Sequence, residues 1–245
     1  MLKLTQVVAG YGGGDVLQGV DLEVKQGSLT CIVGPNGAGK STVLRTVSGL
    51  LKPRLGTITY VNPTTNKVHS LVGMTTQHIL ELGIVQIAQE HSLFPDMTVR
   101  ENMELGGQIL RNRSQIERRL REIEERFPLV KERAKERARS LSGGQQRQIE
   151  IARALMLNPT VVLVDEPSMS LDPKTLEQVF TTIGEMHATG TTPLLVEQNV
   201  RAGLKIATHG VVMESGRVRM DGPAAQVRED PEMGRLFFGG TLSGA

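Results

Sequence analysis

The stretch Gly34-Pro35-Asn36-Gly37-Ala38-Gly39-Lys40-Ser41-Thr42 satisfies every fixed position of the phosphate-binding pattern G-x-x-x-x-G-K-[ST]. Glycines at 34, 37 and 39 allow positive φ and let successive N–H groups turn inward. Set at the positive end of a helix, such a nest binds a polyphosphate. Lys40 would then reach the β- and γ-phosphates of a nucleoside triphosphate, and the Ser41 hydroxyl would ligate Mg²⁺. The plainer reading is a Gly-rich turn with a chance lysine. The context argues against it, because Leu29–Val33 reads as a buried strand entering the loop and Thr42–Val47 as a helix leaving it.

A second cluster follows an apolar run. Val161-Val162-Leu163-Val164 ends in Asp165 and Glu166. Unpaired carboxylates at the end of a buried strand are costly, so the pair needs a task. Beside a P-loop, Asp165 would hold the metal through a bound water, and Glu166 would polarise the water that attacks the γ-phosphate. Taken alone, two acids also serve as an N-terminal helix cap. A third cluster, Leu141-Ser142-Gly143-Gly144-Gln145-Gln146, opens a helix that runs through Ile149, Ile151, Ala152 and Leu155. Ser142 reads as its N-cap, and the two glycines as exposed N–H donors.

The elements that must position these clusters follow from pattern. Leu2, Leu4 and Val7 alternate before a turn at Ala9–Asp15, and Val16-Leu17 and Val20–Val24 alternate after it. Gly49 and Pro53 end the P-loop helix. Gly56–Val61 is a strand, and Gly83–Ala88 is a short strand that delivers Gln89. From about His91 to Ala154 the chain is charged and helical, with Ile116, Leu120, Ile123 and Phe127 at helical spacing. Arg111, Arg113, Arg118, Arg119 and Arg121 alternate with glutamates there, as on a solvated face. Thr160–Val164 has the apolar continuity of a parallel strand, and Pro193–Val196, Gly210–Met213 and Arg217–Met220 are further strands. The tail from Gly222 to Ala245 is partly helical and ends in Gly-rich coil.

Composition bounds the classes. A chain of 245 residues can bury a substantial core in one large domain or two joined lobes. A net charge of +2 makes no case for nucleic acid or an anionic membrane surface. The single cysteine, Cys31, forbids an intrachain disulfide, and its strand makes it a buried, inert thiol. The N-terminus lacks a signal-peptide core, and no apolar run approaches ~20 residues. The expectation is a cytoplasmic protein whose membrane role, if any, comes through a partner.

With all three motifs present, the chain resembles the nucleotide-binding subunit of ATP-binding cassette (ABC) transporters over essentially its whole length. The resemblance implies an α/β fold: a P-loop NTPase core with an antiparallel N-terminal β-subdomain and an inserted helical subdomain. The division would be 1–90, 91–155 and 156–245. It implies ATP and Mg²⁺ as ligands, with Ser41, Gln89 and Asp165 on the metal. Tyr11 would stack on adenine, although a turn tyrosine is the plainer alternative. Gln89 would also contact the attacking water and sense the transmembrane partner. Ser142, Gly143, Gly144 and Gln145 would meet ATP held by the opposite subunit, and Ser170-Leu171-Asp172 would cross that interface. His91–Thr98 would lie near the groove for a permease coupling helix.

One position departs from the family pattern. Where a switch histidine is expected, the chain reads Leu195-Val196-Glu197-Gln198-Asn199, so Gln198 stands beside Glu166 and Lys40 as a catalytic candidate. This form resembles the importer branch that serves branched-chain amino acids, urea and short amides. The partners implied are transmembrane permease subunits, a second ATPase subunit of the same or a different kind, and, indirectly, a solute-binding protein, with no nucleic acid. The implied location is peripheral, on the cytoplasmic face of the inner membrane. Rival readings are a soluble ATPase of the iron–sulfur assembly type and the ATPase of a lipid or polysaccharide exporter. A chromosome-structure or repair ATPase would need a long coiled-coil insertion, and the chain carries none.

Overall fold

The computed structural model describes residues 1–89, 92–169 and 171–238. The Gly-rich coil expected at the end of the tail lies outside them. Strand β1 (Leu2–Tyr11) turns through Gly12 and Gly13 into β2 (Gly14–Val24). The expected turn is thus shorter than its glycines suggest, because Ala9, Gly10 and Tyr11 stay in the ladder opposite Leu17, Asp15 and Gly14. A Cβ on Gly10 would collide with the Gly14 carbonyl, so the glycine serves close strand approach. The two runs Val16-Leu17 and Val20–Val24 belong to one strand, broken only by Gly19 at φ 76°.

The chain continues as β3 (Thr30–Val33), α1 (Lys40–Val47), β4 (Leu55–Val61), β5 (Val68–Ser70), α2 (Thr76–Glu81) and β6 (Ile84–Ile87). Helices α3 (Val99–Gly106), α4 (Arg113–Arg126), α5 (Pro128–Glu132) and α6 (Gly143–Leu155) lie between β6 and β7 (Val161–Asp165). Then follow α7 (Pro173–Ala188), β8 (Thr192–Glu197), α8 (Val200–Ile206), β9 (His209–Glu214), β10 (Arg217–Pro223), α9 (Ala224–Glu229) and α10 (Pro231–Phe238). Leu120 and Ile123 are the buried residues of α4, and Arg100 pairs with Glu117. Arg119, expected on the solvated face, is instead half-buried and donates to the Leu155 carbonyl at 2.8 Å while pairing with Glu122. The short elements β5, α2 and α5 carry too few residues for a periodic signal.

Among the described residues the strands form two sheets. A four-stranded antiparallel sheet has the order β2-β1-β4-β5, and a six-stranded sheet has the order β10-β9-β3-β8-β7-β6. In the second, β6, β7, β8, β3 and β9 run parallel and β10 is antiparallel. Residues of β3, β7 and β8 are buried on both faces, which explains the apolar runs Cys31–Val33, Val161–Val164 and Pro193–Val196 within them. Ile32, Leu163 and Leu194 face a core shared with α1 and the antiparallel sheet. Cys31, Val162 and Leu195 face a second core under α3, α4, α6 and α7. Cys31 is fully buried, and burial, aided by the charge of Glu197, pushes its thiol pKa well up.

Candidate nucleotide site

Parallel strands put their carboxyl ends on one edge of the sheet, where ligands bind in open α/β folds. That edge collects Gly34 after β3, Gln198 after β8, Asp165 and Glu166 at the end of β7, and Gln89 two residues past β6. The α7 crossover from β7 lays β8 between β7 and β3. The P-loop and the two acids therefore meet across one intervening strand.

Gly37 and Gly39 take φ of 79° and 99°, the left-handed region that glycine enters freely. Gly34 is outside that region, contrary to expectation. Its requirement is space, since a Cβ there would collide with the Met213 carbonyl oxygen of β9. Lys40 is buried at 4% exposure, and its Nζ donates to the carbonyl oxygens of Gly34 at 2.9 Å and Pro35 at 3.1 Å. The loop thus aims its own lysine, while the Ala38 N–H closes the turn on the Pro35 carbonyl. A cleft of about 190 Å³ is lined by Val16, Asn36, Gly37, Gly39, Lys40, Ser41, Thr42 and Glu166.

The acids close the other side. Ser41 Oγ donates to Asp165 Oδ1 at 2.8 Å. Burial raises the Asp165 pKa, the Ser41 hydrogen bond opposes that, and the charge of Glu166 adds to it. Glu166 has φ 41°, unusual outside glycine, and its N–H donates to the Val196 carbonyl at 2.9 Å. Its Oε1 lies 3.6 Å from Lys40 Nζ, and its Oε2 accepts from Gln89 Nε2 at 3.0 Å. Among the described residues no group of three or more His, Cys, Asp or Glu could hold a metal alone. The Ser41–Asp165 oxygens fit Mg²⁺ all the same, because that ion takes one or two protein oxygens together with phosphates and water.

Tyr11, Gln89 and Asp165 share a second cleft, of about 410 Å³, with Arg45, Leu50, Gln86 and Ala88. Tyr11 is 47% exposed, so it is available to stack on a base. Its hydroxyl accepts from Arg45 Nη1 at 3.0 Å, and the guanidinium lies 5.9 Å from the ring centroid. Arg45, one helical turn past Ser41, was not singled out from sequence. The i, i+4 spacing from the P-loop serine was the available signal.

The Ser142–Gln145 turn stands apart. Ser142 is the N-cap of α6 in a capping box with Gln145, as its sequence implies. Gly143 has open space around it, but Gly144 is buried, and a Cβ there would collide with the Thr175 methyl of α7. Only one of the two glycines is therefore exposed. The second exists for helix packing, which a linear pattern does not reveal. No residue of this turn lines either cleft. Gln198 is exposed and also lines neither. Ser170 and His91 lie outside the described residues. Asp172 caps α7 by accepting from Lys174 N and Thr175 N.

Three buried charges, Arg147, Glu150 and Glu197, and the half-buried Arg153 also escaped the sequence reading. Arg147 donates to the Ala88 and Gln89 carbonyls at 2.9 Å each and pairs with Glu150 at 2.8 Å. Glu150 accepts from Ser92 N, and Arg153 donates to the Ser92 carbonyl at 2.9 Å. These residues sit at i, i+3 and i+6 on one face of α6, so charge recurring at helical spacing inside an apolar pattern was the signal. Glu197 lies apart from them, and its pKa is raised by burial against the opposing hydrogen bond from Ser168.

Comparison with known proteins gives a consistent picture. The family model described as ABC transporter matches residues 17–169. The high-affinity branched-chain amino acid transport ATP-binding protein BraG of Pseudomonas aeruginosa is 35% identical over 98% of this chain and 100% of its own length. The crystal structure of an ABC transporter cassette in its ADP conformation superposes with a TM-score of 0.85 at 29% identity, covering 98% of this chain and 99% of that one. A dimeric cassette in a post-hydrolysis state, bound to ADP and Pi, gives a TM-score of 0.75 at 27% identity over 91% of this chain and 99% of that one.

Proposed function

The chain belongs to the ABC transporter family, and from that premise we propose that it is the ATP-binding and ATP-hydrolysing subunit of an importer for branched-chain amino acids. The observation that carries this is the convergence of Lys40, Ser41, Gln89, Asp165 and Glu166 at one sheet edge. The similarity to BraG over the full length of both chains supports the substrate class.

In this reading the P-loop amides and Lys40 bind and orient the phosphates. Ser41 and Asp165 hold Mg²⁺ with Gln89 beside them, and the ion when bound neutralises phosphate charge. Glu166, an acceptor held between Gln89 and Lys40, orients water and takes its proton. Tyr11 stacks on the base, and Gln198 donates to the γ-phosphate through its amide. Ser142, Gly143 and Gln145 act on ATP held by a second ATPase subunit, with Gly144 packed against Thr175 behind them. Their separation from both clefts of this chain supports that assignment, as does the dimeric state of a similar cassette.

The permease would dock in the groove of about 380 Å³ between the β6 side of the core and the helices, lined by Leu50, Leu80, Gln86, Ser92, Leu105, Ile109 and Arg153 among others. Phe94, 51% exposed, lies on the neighbouring segment. Residues 1–90 and 156–245 would then be the nucleotide core, and 91–155 the lobe that meets the permease. No described helix is long and apolar enough to cross a membrane, which fits a peripheral subunit on the cytoplasmic face.

The test is purification of the tagged chain from its host in mild detergent. Integral-membrane permeases should copurify, and vesicles carrying the complex should take up leucine only with ATP. Retention of a soluble assembly partner, or ATP-driven lipid export without leucine uptake, would replace this reading.

A further inference from the structure

Glu197 is fully buried and has no part in the chemistry above. It closes β8, the strand adjacent to β7. Donors converge on its carboxylate from two loops. Ser168 of the turn after Glu166 donates its N–H at 3.1 Å and its hydroxyl at 2.6 Å. Gln198 and Asn199 donate their N–H groups at 3.1 and 3.2 Å. Three of these partners are backbone N–H groups, which only donate, so the site calls for an acceptor, as a carboxylate oxygen is. An uncompensated buried charge is costly, and here bonds from the two loops offset part of that cost.

The turn that Glu197 grips is the one that carries the proposed base. Glu166 leaves β7 with its N–H on the Val196 carbonyl at 2.9 Å. Met169, next after Ser168, puts its sulfur 2.9 Å from Gln89 Nε2, the same nitrogen that donates to Glu166. The Glu197 carboxylate is bonded both to this turn and to the Gln198 loop. We propose that Glu197 is a positioning residue: its carboxylate ties the turn bearing Glu166 to the loop bearing Gln198, and so keeps both in register for hydrolysis. The proposal rests on the assignment of Glu166 as base.

The experiment compares steady-state ATPase kinetics, nucleotide affinity and thermal midpoint for the full-length chain and its Glu197→Gln, Glu197→Asp, Ser168→Ala and Glu166→Gln variants. Glu197→Gln presents an amide to donors, and its kcat should fall by about tenfold or more, with KM within about threefold of the parent. Ser168→Ala, which removes one donor, should lower kcat by roughly threefold, and adding it to Glu197→Gln should cost little more, because both act through the same bonds. Glu197→Asp, which keeps the charge, should recover part of the loss. Unchanged kcat in folded Glu197→Gln overturns the proposal. So does a loss of kcat matched by loss of nucleotide affinity and of thermal stability. If Glu197→Gln does not fold, Ser168→Ala decides alone by the same split. Normal hydrolysis by Glu166→Gln would instead remove the base assignment, a distinct failure.

Discussion

Gln89 Nε2 donates to Glu166 Oε2 across 3.0 Å, joining two residues 77 apart in the chain. The contact exists because β6 and β7 are neighbouring parallel strands, whose ends lie about 5 Å apart. Lys40 stands 3.6 Å from the other carboxylate oxygen. One neutral donor and one cation therefore bracket the acid. Gln89 is itself held through its carbonyl by Arg147 of α6, so this contact reports on the placement of the helical lobe.

Lys40→Ala removes the cation that the Gly34 and Pro35 carbonyls aim into the cleft. ATP affinity should fall by roughly 10²-fold or more, about 2.7 kcal/mol. Isothermal titration would show it, and unchanged affinity and turnover would contradict the nucleotide assignment.

Glu166→Gln keeps a side chain of the same size between Gln89 and Lys40 but cannot take a proton. ATP binding should persist while hydrolysis drops at least ~10²-fold, about 2.7 kcal/mol of barrier. An ATP-dependent dimer should then elute earlier in size-exclusion chromatography.

Asp165 gives a pH prediction. Burial raises its pKa in the folded chain, so the folded state holds the proton more tightly than the unfolded state. Stability contributed by this site therefore falls as pH rises from the ordinary carboxylate pKa through the raised value. Asp165→Asn escapes that loss and still accepts from Ser41. Without nucleotide or Mg²⁺, its urea midpoint should exceed the parent's at neutral pH. The gap should shrink as pH is lowered toward about 4. The Glu197 pKa is also raised by burial, so the parent's own stability should slope the same way. A gap that grows on acidification would refute the assignment.

Gly144→Ala drives a methyl into Thr175. Overpacking of this kind costs about 1–3 kcal/mol, against about 1 kcal/mol gained from helix propensity. Thr175 is also stiff, being β-branched, and its hydroxyl helps hold the Asp172 carboxyl below the usual range. The single variant should lose stability, and adding Thr175→Ser, which deletes the obstructing methyl, should restore it. Chemical denaturation of the parent and the three variants in the cycle would measure this.

Gln198 keeps a hydrogen-bond donor where a histidine would add a titratable group. If its work is orientation alone, Gln198→His should leave turnover within roughly tenfold, under about 1.4 kcal/mol. Gln198→Ala should lower it more. A rise of several orders of magnitude with histidine would mark the native site as degenerate.

The sequence by itself determined the parts of the site that are local. The P-loop, the apolar strand ending in Asp165 and Glu166, and the Ser142 cap are contiguous runs. Their strand, turn and helix signals span fewer than a dozen residues, within reach of backbone sterics and side-chain period. The burial of Cys31 followed from its place in such a run. Tertiary structure alone decided which runs meet. The order β3-β8-β7-β6 is set by crossover helices and by two cores packed on opposite faces of one sheet, and no short-range pattern encodes it. That order brings Gln89 to Glu166, places the fully buried Glu197 between two loops and seats Arg45 under Tyr11. It also decides why particular glycines are glycines. Gly37 and Gly39 answer to φ, which local chemistry states, whereas Gly34 and Gly144 answer to Met213 and Thr175, neighbours that only the folded chain supplies.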